Sequence, residues 1–275
     1  AGADAYNIAI GHFAGENVST GIRNTLIGSL AGDALTTGEK NVAIGYLALS
    51  GDVAGADNVA IGNGAMAATD NARANVAIGF ESLYNLDYAS LTYSHNIGIG
   101  FNAGKLITTG VYNTIVGGMA GDALTTGQNN VAIGYQALSS EDEHGTNTAV
   151  GYNTLATLNA GANAYNVAVG YEAGKTIDTG VQNVLIGGGA GDALTTGSFN
   201  VAIGMEALTT EDALGHTVAI GYRALKMQNA PSNSYNVAIG SSAGAAVTTA
   251  VRNTLIGGLA GDAITEGGDN VALGY

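Results

Sequence analysis

Four histidines, His12, His95, His144 and His216, are the side chains of this chain best suited to metal ligation or proton transfer. They fall in widely separated parts of the sequence and no two share a metal-motif spacing, so they read as surface or turn residues. The run Glu141-Asp142-Glu143 offers carboxylates for a cation or an acid–base pair, but a run of like charge in a loop reads first as a solvated turn. A glycosidase holds two carboxylates at a fixed separation across a cleft, and nothing in the sequence singles out such a pair. The glycine-rich stretch Gly187–Gly191 lacks the Lys-Ser/Thr of a phosphate cradle, and no Gly-Gly-x-Gly-x-Asp calcium repeat is present. Asp33, Asp122, Asp192 and Asp262 recur in Ala-Gly-Asp-Ala; one carboxylate per repeat is a poor cation site, since such ions take six or more oxygens. No catalytic residue, metal ligand or cofactor is assigned, and enzymatic activity is not expected.

What positions these residues is a repeat. Asn-x-x-[Ile/Val/Leu]-Gly occurs sixteen times, ending at Gly11, Gly28 and so on to Gly274; twelve of the fifteen intervals are 17 residues and the others are 21, 19 and 19. Only the copy ending at Gly221 lacks the Asn, having Thr217. So short and strict a period predicts a solenoid, whose coils bury their apolar faces by stacking on one another. No linker or shift in composition interrupts the array, which reads as a single domain over 1–275 and as a piece of a longer fibre.

With Asn as position zero, position one is β-branched in every copy and position three is Ile, Val or Leu. Residues two apart share a strand face, so positions one and three are expected to point together into the coil. Position two is Ala in eleven copies, and a strand apolar on both faces suggests burial on both. The Ala face is therefore expected to pack on another chain, although a small-residue surface left in water is the plainer alternative. The closing glycine is expected to need a backbone conformation closed to other residues. The Asn ladder reads as scaffold, each amide bonding to backbone and to the Asn one coil away. Coils with a bulky position two (Leu26, Ile115, Leu185, Leu255) have a small residue after the glycine, where many Ala coils have Tyr or Phe, as if the two positions share one space. The 70-residue spacing from Asp122 to Asp192 to Asp262 marks an internal duplication of four coils.

The formal charge is -14, with eight basic residues scattered along the chain, which argues against nucleic acid and anionic membranes as partners. There is no cysteine, so no disulfide framework, and no apolar run or leader suggests membrane insertion by this segment.

The stretch Asn130-Val-Ala-Ile-Gly-Tyr-Gln-Ala-Leu138 resembles the YadA-like head repeats of trimeric autotransporter adhesins. Asn147-Thr-Ala-Val-Gly151 followed by Tyr152 is similar to repeats of phage tail fibres and surface fibres that end in an intramolecular chaperone domain. The likeness covers essentially the whole chain, although the Ser of the adhesin motif is absent and adhesin coils are shorter. It implies an all-β, left-handed parallel β-roll of about sixteen coils with two short strands per coil. It also implies three identical chains about one axis, and a role in attachment at a cell surface or on a virion. The expected partners are two further copies of the chain and a glycan or protein receptor on the host surface. The alternative is an ice-binding or other surface-binding β-solenoid, which would need regular threonine rows on an exposed strand; here Thr clusters in Thr-Thr-Gly turns such as Thr36-Thr37-Gly38. The three long coils carry the extra residues within Phe80–His95, Tyr152–Tyr165 and Tyr222–Tyr235. Tyr84, Tyr88, Tyr93, Tyr165 and Tyr235 are the candidate receptor contacts, while drift in a tolerant turn explains the same insertions without function.

Overall fold

Three residues per coil form a strand, and the reason lies at both ends. The residue before each Asn has a left-handed backbone, with φ between 48° and 67° in all sixteen coils, and the motif glycine follows at φ 119–143°. A strand cannot run through either position, so extended chain is confined to positions one to three. In the computed structural model, which describes residues 4–211, 213 and 215–275, these segments are the rungs of a parallel β-solenoid with a spacing of about 17 residues. There is no helix among the described residues, and so none long and apolar enough to cross a membrane.

The chain forms two compact units, Ala1–Tyr135 and Gln136–Tyr275. The first contains β1 (Ile8–Ile10), β2 (Thr25–Ile27), β3 (Val42–Ile44), β4 (Val59–Ile61), β5 (Asp70–Arg73), β6 (Val76–Ile78), β7 (Asp87–Tyr93), β8 (Ile97–Ile99), β9 (Thr114–Val116) and β10 (Val131–Ile133). The second contains β11 (Thr148–Val150), β12 (Val167–Val169), β13 (Val184–Ile186), β14 (Val201–Ile203), β15 (Val218–Ile220), β16 (Val237–Ile239), β17 (Thr254–Ile256) and β18 (Val271–Leu273). Within each unit successive rungs pair in parallel and in register, so that Val42 lies beside Val59 and Val184 beside Val201. The 21-residue coil keeps the same register, with Val76 beside Ile97. The resemblance implies two strands per coil; the structure has one, except where β5 and β7 form a separate two-stranded sheet. Elsewhere the return limb is a run of turns whose amides bond to the next coil, as Gly32 N–H does to Ala48 O at 2.9 Å.

The faces of the rungs are the reverse of the sequence expectation. Position two points inward: Ala43, Ala60, Ala132 and Ala202 are wholly buried, as is Leu185. Positions one and three point outward. The physical reason is the Asn. Asn41, Asn113 and Asn183 are wholly buried, and residues two apart share a face, so a buried position zero carries position two inside with it. The Asn113 Oδ1 accepts the backbone N–H of Asn130 at 3.0 Å, and its amide donates to Gly127 O at 2.9 Å. The expected Asn ladder is present. β-Branched residues favour a pleated surface whichever side is covered, so their presence at positions one and three was no guide to the interior.

The interior is narrow, and its volume is shared between positions two and eight. In the coils of Ala43, Ala132 and Ala202, Leu49, Leu138 and Leu208 fill the centre from position eight, whereas the coils of Ala9, Ala168 and Ala238, each followed by a bulky coil, have glycine there. Where it is Leu26 or Leu185, position eight is Gly32 or Gly191, and a Cβ there would lie 2.8 Å from the leucine. The expected trade with the residue after the motif glycine is thereby corrected. Tyr46, Phe101 and Tyr171 at that place are exposed on the outer surface and share no core space with position two.

Candidate functional site

No concave pocket exists among the described residues, so function rests on faces and turns. The first surface is the outer side of the rungs. Val and Ile at positions one and three form a continuous apolar stripe in each unit. Ile78, Ile133, Ile186 and Ile256, for example, are each 36–39% exposed. The aromatic row that follows the glycines borders this stripe, with Phe80 stacked on Phe101 and Tyr152 on Tyr171, in both pairs 5.3 Å between ring centroids. The left-handed residues before the Asn border its other side, where Phe199, His216 and Tyr235 stack at 5.0 and 5.1 Å. His95 lies in the same way between Tyr93 and Tyr112. These two histidines are held by rings, in keeping with their reading as surface residues.

The same row before the Asn also carries the ion pairs Lys40–Asp57 (4.0 Å) and Arg252–Asp269 (2.6 Å), and other ionic side chains cluster after the motif glycines. Lys105 pairs with Glu81 at 2.6 Å, Lys175 with Glu172 at 3.0 Å, and Glu206 with both Lys226 (2.7 Å) and Arg223 (2.8 Å), which hold its carboxyl below the usual range. Burial pushes the carboxyls of Asp122 and Asp192 up, and the neighbouring Glu172 and Glu206 add to it for Asp192. Asp33 is likewise half-buried, whereas Asp262 is exposed.

The five tyrosines separate into two groups. Tyr93, Tyr165 and Tyr235 are more than half exposed. Tyr84 is half-buried. Tyr88 is only 5% exposed, and its hydroxyl donates to Gly110 O at 2.7 Å and accepts from the Asn96 amide at 3.3 Å. It braces the long coil from within and is removed from the candidate contacts, because a ring committed to an interior hydrogen bond presents nothing outside.

Sequence reasoning missed a row of interior polar groups eleven residues after the Asn. Leu35, Ile107, Leu124, Leu158, Ile177 and Leu194 occupy that offset and are wholly buried, and so are Asp52, Glu141, Glu211 and Gln228. Asp52 Oδ1 accepts the Gly55 N–H at 2.7 Å while its Oδ2 has no partner, and burial raises its pKa to about 6. Glu211 Oε2 accepts from Gln228 Nε2 at 3.1 Å; Gln228 Oε1 in turn accepts from Asn236 at 2.9 Å, and its Nε2 also donates to Thr217 Oγ1. This network stands beside the one coil that lacks the Asn. Glu141 has Leu158, not a polar side chain, one coil on, and the expectation of a solvated turn fails for it. The apolar residues at the same offset in other coils were the available signal that these carboxylates lie inside. Comparison with protein-family models, with curated proteins and with solved structures returns no match.

Proposed function

We propose that the chain is the shaft or head of an extracellular fibre that attaches to a host cell or another surface. In this reading it assembles as a left-handed homotrimer through the outer face of the rungs. The observation that carries this is the Val/Ile-rich stripe of each unit: two β-branched or aliphatic residues per coil, Thr at position one in four of them, repeat in register and make an apolar strip far longer than the isolated patches common on monomers. Its most economical occupant is a second copy of itself, because identical coils present the same residues at the same 17-residue spacing. The number three and the hand of the coil come from the resemblance to adhesin and tail-fibre repeats. The ion pairs Lys40–Asp57 and Arg252–Asp269 lie in the row that borders the stripe, where they would form the polar rim of such a contact. The threonine rows that an ice-binding surface would need are not formed: position one is Thr only at Thr25, Thr114, Thr148 and Thr254. Many turn hydroxyls are bonded to carbonyls of the next coil, as Thr36 Oγ1 is to Val53 O at 3.2 Å.

The test is assembly state. Sedimentation should give a trimer for the unmodified chain, and Ile186→Glu combined with Ile203→Glu should give a folded species of lower mass, since each places a charge in the apolar strip. A folded monomer for the unmodified chain would refute the reading. Tyr84, Tyr93, Tyr165 and Tyr235 remain the proposed receptor contacts, and binding to a glycan array that survives their joint replacement by Ala would remove them.

A further inference from the structure

The turn that follows the rung β10 differs from its counterpart two hundred residues into the chain. Glu141 and Glu211 both stand eleven residues after the coil's Asn, at the offset where other coils bury Leu or Ile, and both are wholly buried. Seventeen residues on, Glu211 meets Gln228 and is hydrogen-bonded by it. Glu141 meets Leu158 at that place. Its Oε1 accepts the backbone N–H of His144 at 3.2 Å, and its Oε2 makes no hydrogen bond of ordinary geometry, although the Ala160 backbone amide also faces the carboxyl. A carboxylate taken out of water and left half-satisfied is costly unless a cation compensates it. The sequence around it differs in the matching way: His144 stands at the offset that holds Leu214 after Glu211.

We propose that the turn Glu141–His144 binds a divalent transition-metal ion through Glu141, Asp142 and His144. One oxygen or nitrogen of each residue lies within 4.8 Å of the other two. His144 Nδ1 is 3.7 Å from Glu141 Oε1, close to the edge of about 3.4 Å that a tetrahedral site with bonds of about 2.1 Å requires. Asp142 accepts the Glu143 N–H at 2.7 Å and is half-exposed. Two carboxylates and one imidazole suit zinc or nickel better than calcium or magnesium, which take oxygen ligands in larger number. The three protein ligands come from four consecutive residues, leaving a fourth position for water. The ion would compensate the buried Glu141 carboxylate and hold the turn against the interior of its coil.

The experiment is titration calorimetry on the full chain with zinc chloride, and separately with calcium chloride, at neutral pH. One Zn2+ per chain should bind, and the unfolding temperature should rise with zinc concentration. His144→Ala should lower the zinc affinity roughly tenfold or more, while His95→Ala and His216→Ala leave it unchanged. Glu141→Leu places at this offset the residue that other coils carry, so it should fold and lose zinc binding. No heat of binding at roughly 0.1 mM zinc, equal affinity for calcium, or unaltered zinc binding by His144→Ala would each overturn the proposal.

Discussion

Replacing Asp52 by Asn should change the pH dependence of stability in a direction fixed by its burial. Asp52 is wholly buried in the unit Ala1–Tyr135, and desolvation moves its pKa from 3.8 to about 6, with the nearby Asp70 carboxylate adding to the rise. Between these values the unfolded chain has released the proton and the folded chain has kept it. The unfolded state then binds fewer protons, so stability falls as pH rises through this window and levels off above about pH 6. A shift of about 2 units corresponds to about 3 kcal/mol lost between roughly pH 4 and pH 7. Asn keeps the bond from the Gly55 N–H, carries no charge and does not titrate. Urea denaturation of the full chain, at one protein concentration and read by far-ultraviolet circular dichroism, measures the effect. The variant should match the parent near pH 4 and be more stable near pH 7 by up to about 3 kcal/mol. Because Glu141, Asp122 and Asp192 also have raised values, the decisive quantity is the difference between variant and parent. A difference that is the same at both pH values would refute the reasoning.

Gly204→Ala should destabilise its unit by roughly 2–4 kcal/mol, because Gly204 has φ 134° and a Cβ there would lie 2.5 Å from the Gly221 carbonyl oxygen; denaturant midpoints report it, and a neutral result would mean that the coils are stacked differently. Asn113→Ala removes an acceptor for the Asn130 N–H and a donor to Gly127 O and leaves the groups buried, at a cost of roughly 3 kcal/mol. Amide exchange at Asn130 should rise markedly in that variant, and unchanged protection there would argue against the ladder.

The rungs were legible because the motif repeats sixteen times and each copy brackets three extended residues between the turn before the Asn and the glycine. Their orientation was not. Ala and Val are both apolar, so alternation could not say which side was covered, and the information lay in the Asn, whose amide has its partners only inside the stack. Tyr88 looked like any loop tyrosine, and its fate depended on a hydrogen bond to Gly110, twenty-two residues away in sequence. The β5–β7 pair was likewise hidden, because Asp70–Arg73 is a short polar segment and the alternation Ser90-Leu91-Thr92-Tyr93 lies in an insertion that the repeat does not frame. Glu141 was read by its neighbours in sequence, Asp142 and Glu143, when its environment is set by residues of other coils.

The exchange of size between positions two and eight bears on how such a chain finds its register. Nearly identical rungs can pair one coil out of step, looping out seventeen residues and still forming every backbone hydrogen bond, so backbone pairing alone leaves the partners of each coil degenerate. Side-chain volume removes the degeneracy. Leu26, Ile115, Leu185 and Leu255 enter coils whose eighth position is glycine, and the coil before each also has glycine there, at Gly15, Gly104, Gly174 and Gly244. A slip of one turn would dock Ile115, Leu185 or Leu255 on the coil that holds Leu83, Leu155 or Leu225 and overpack the interior by several carbon atoms, at a cost of roughly 1–3 kcal/mol. The bulky coils thus act as keys cut at intervals along the stack, admitting one alignment of the chain with itself and rejecting those displaced by a single turn.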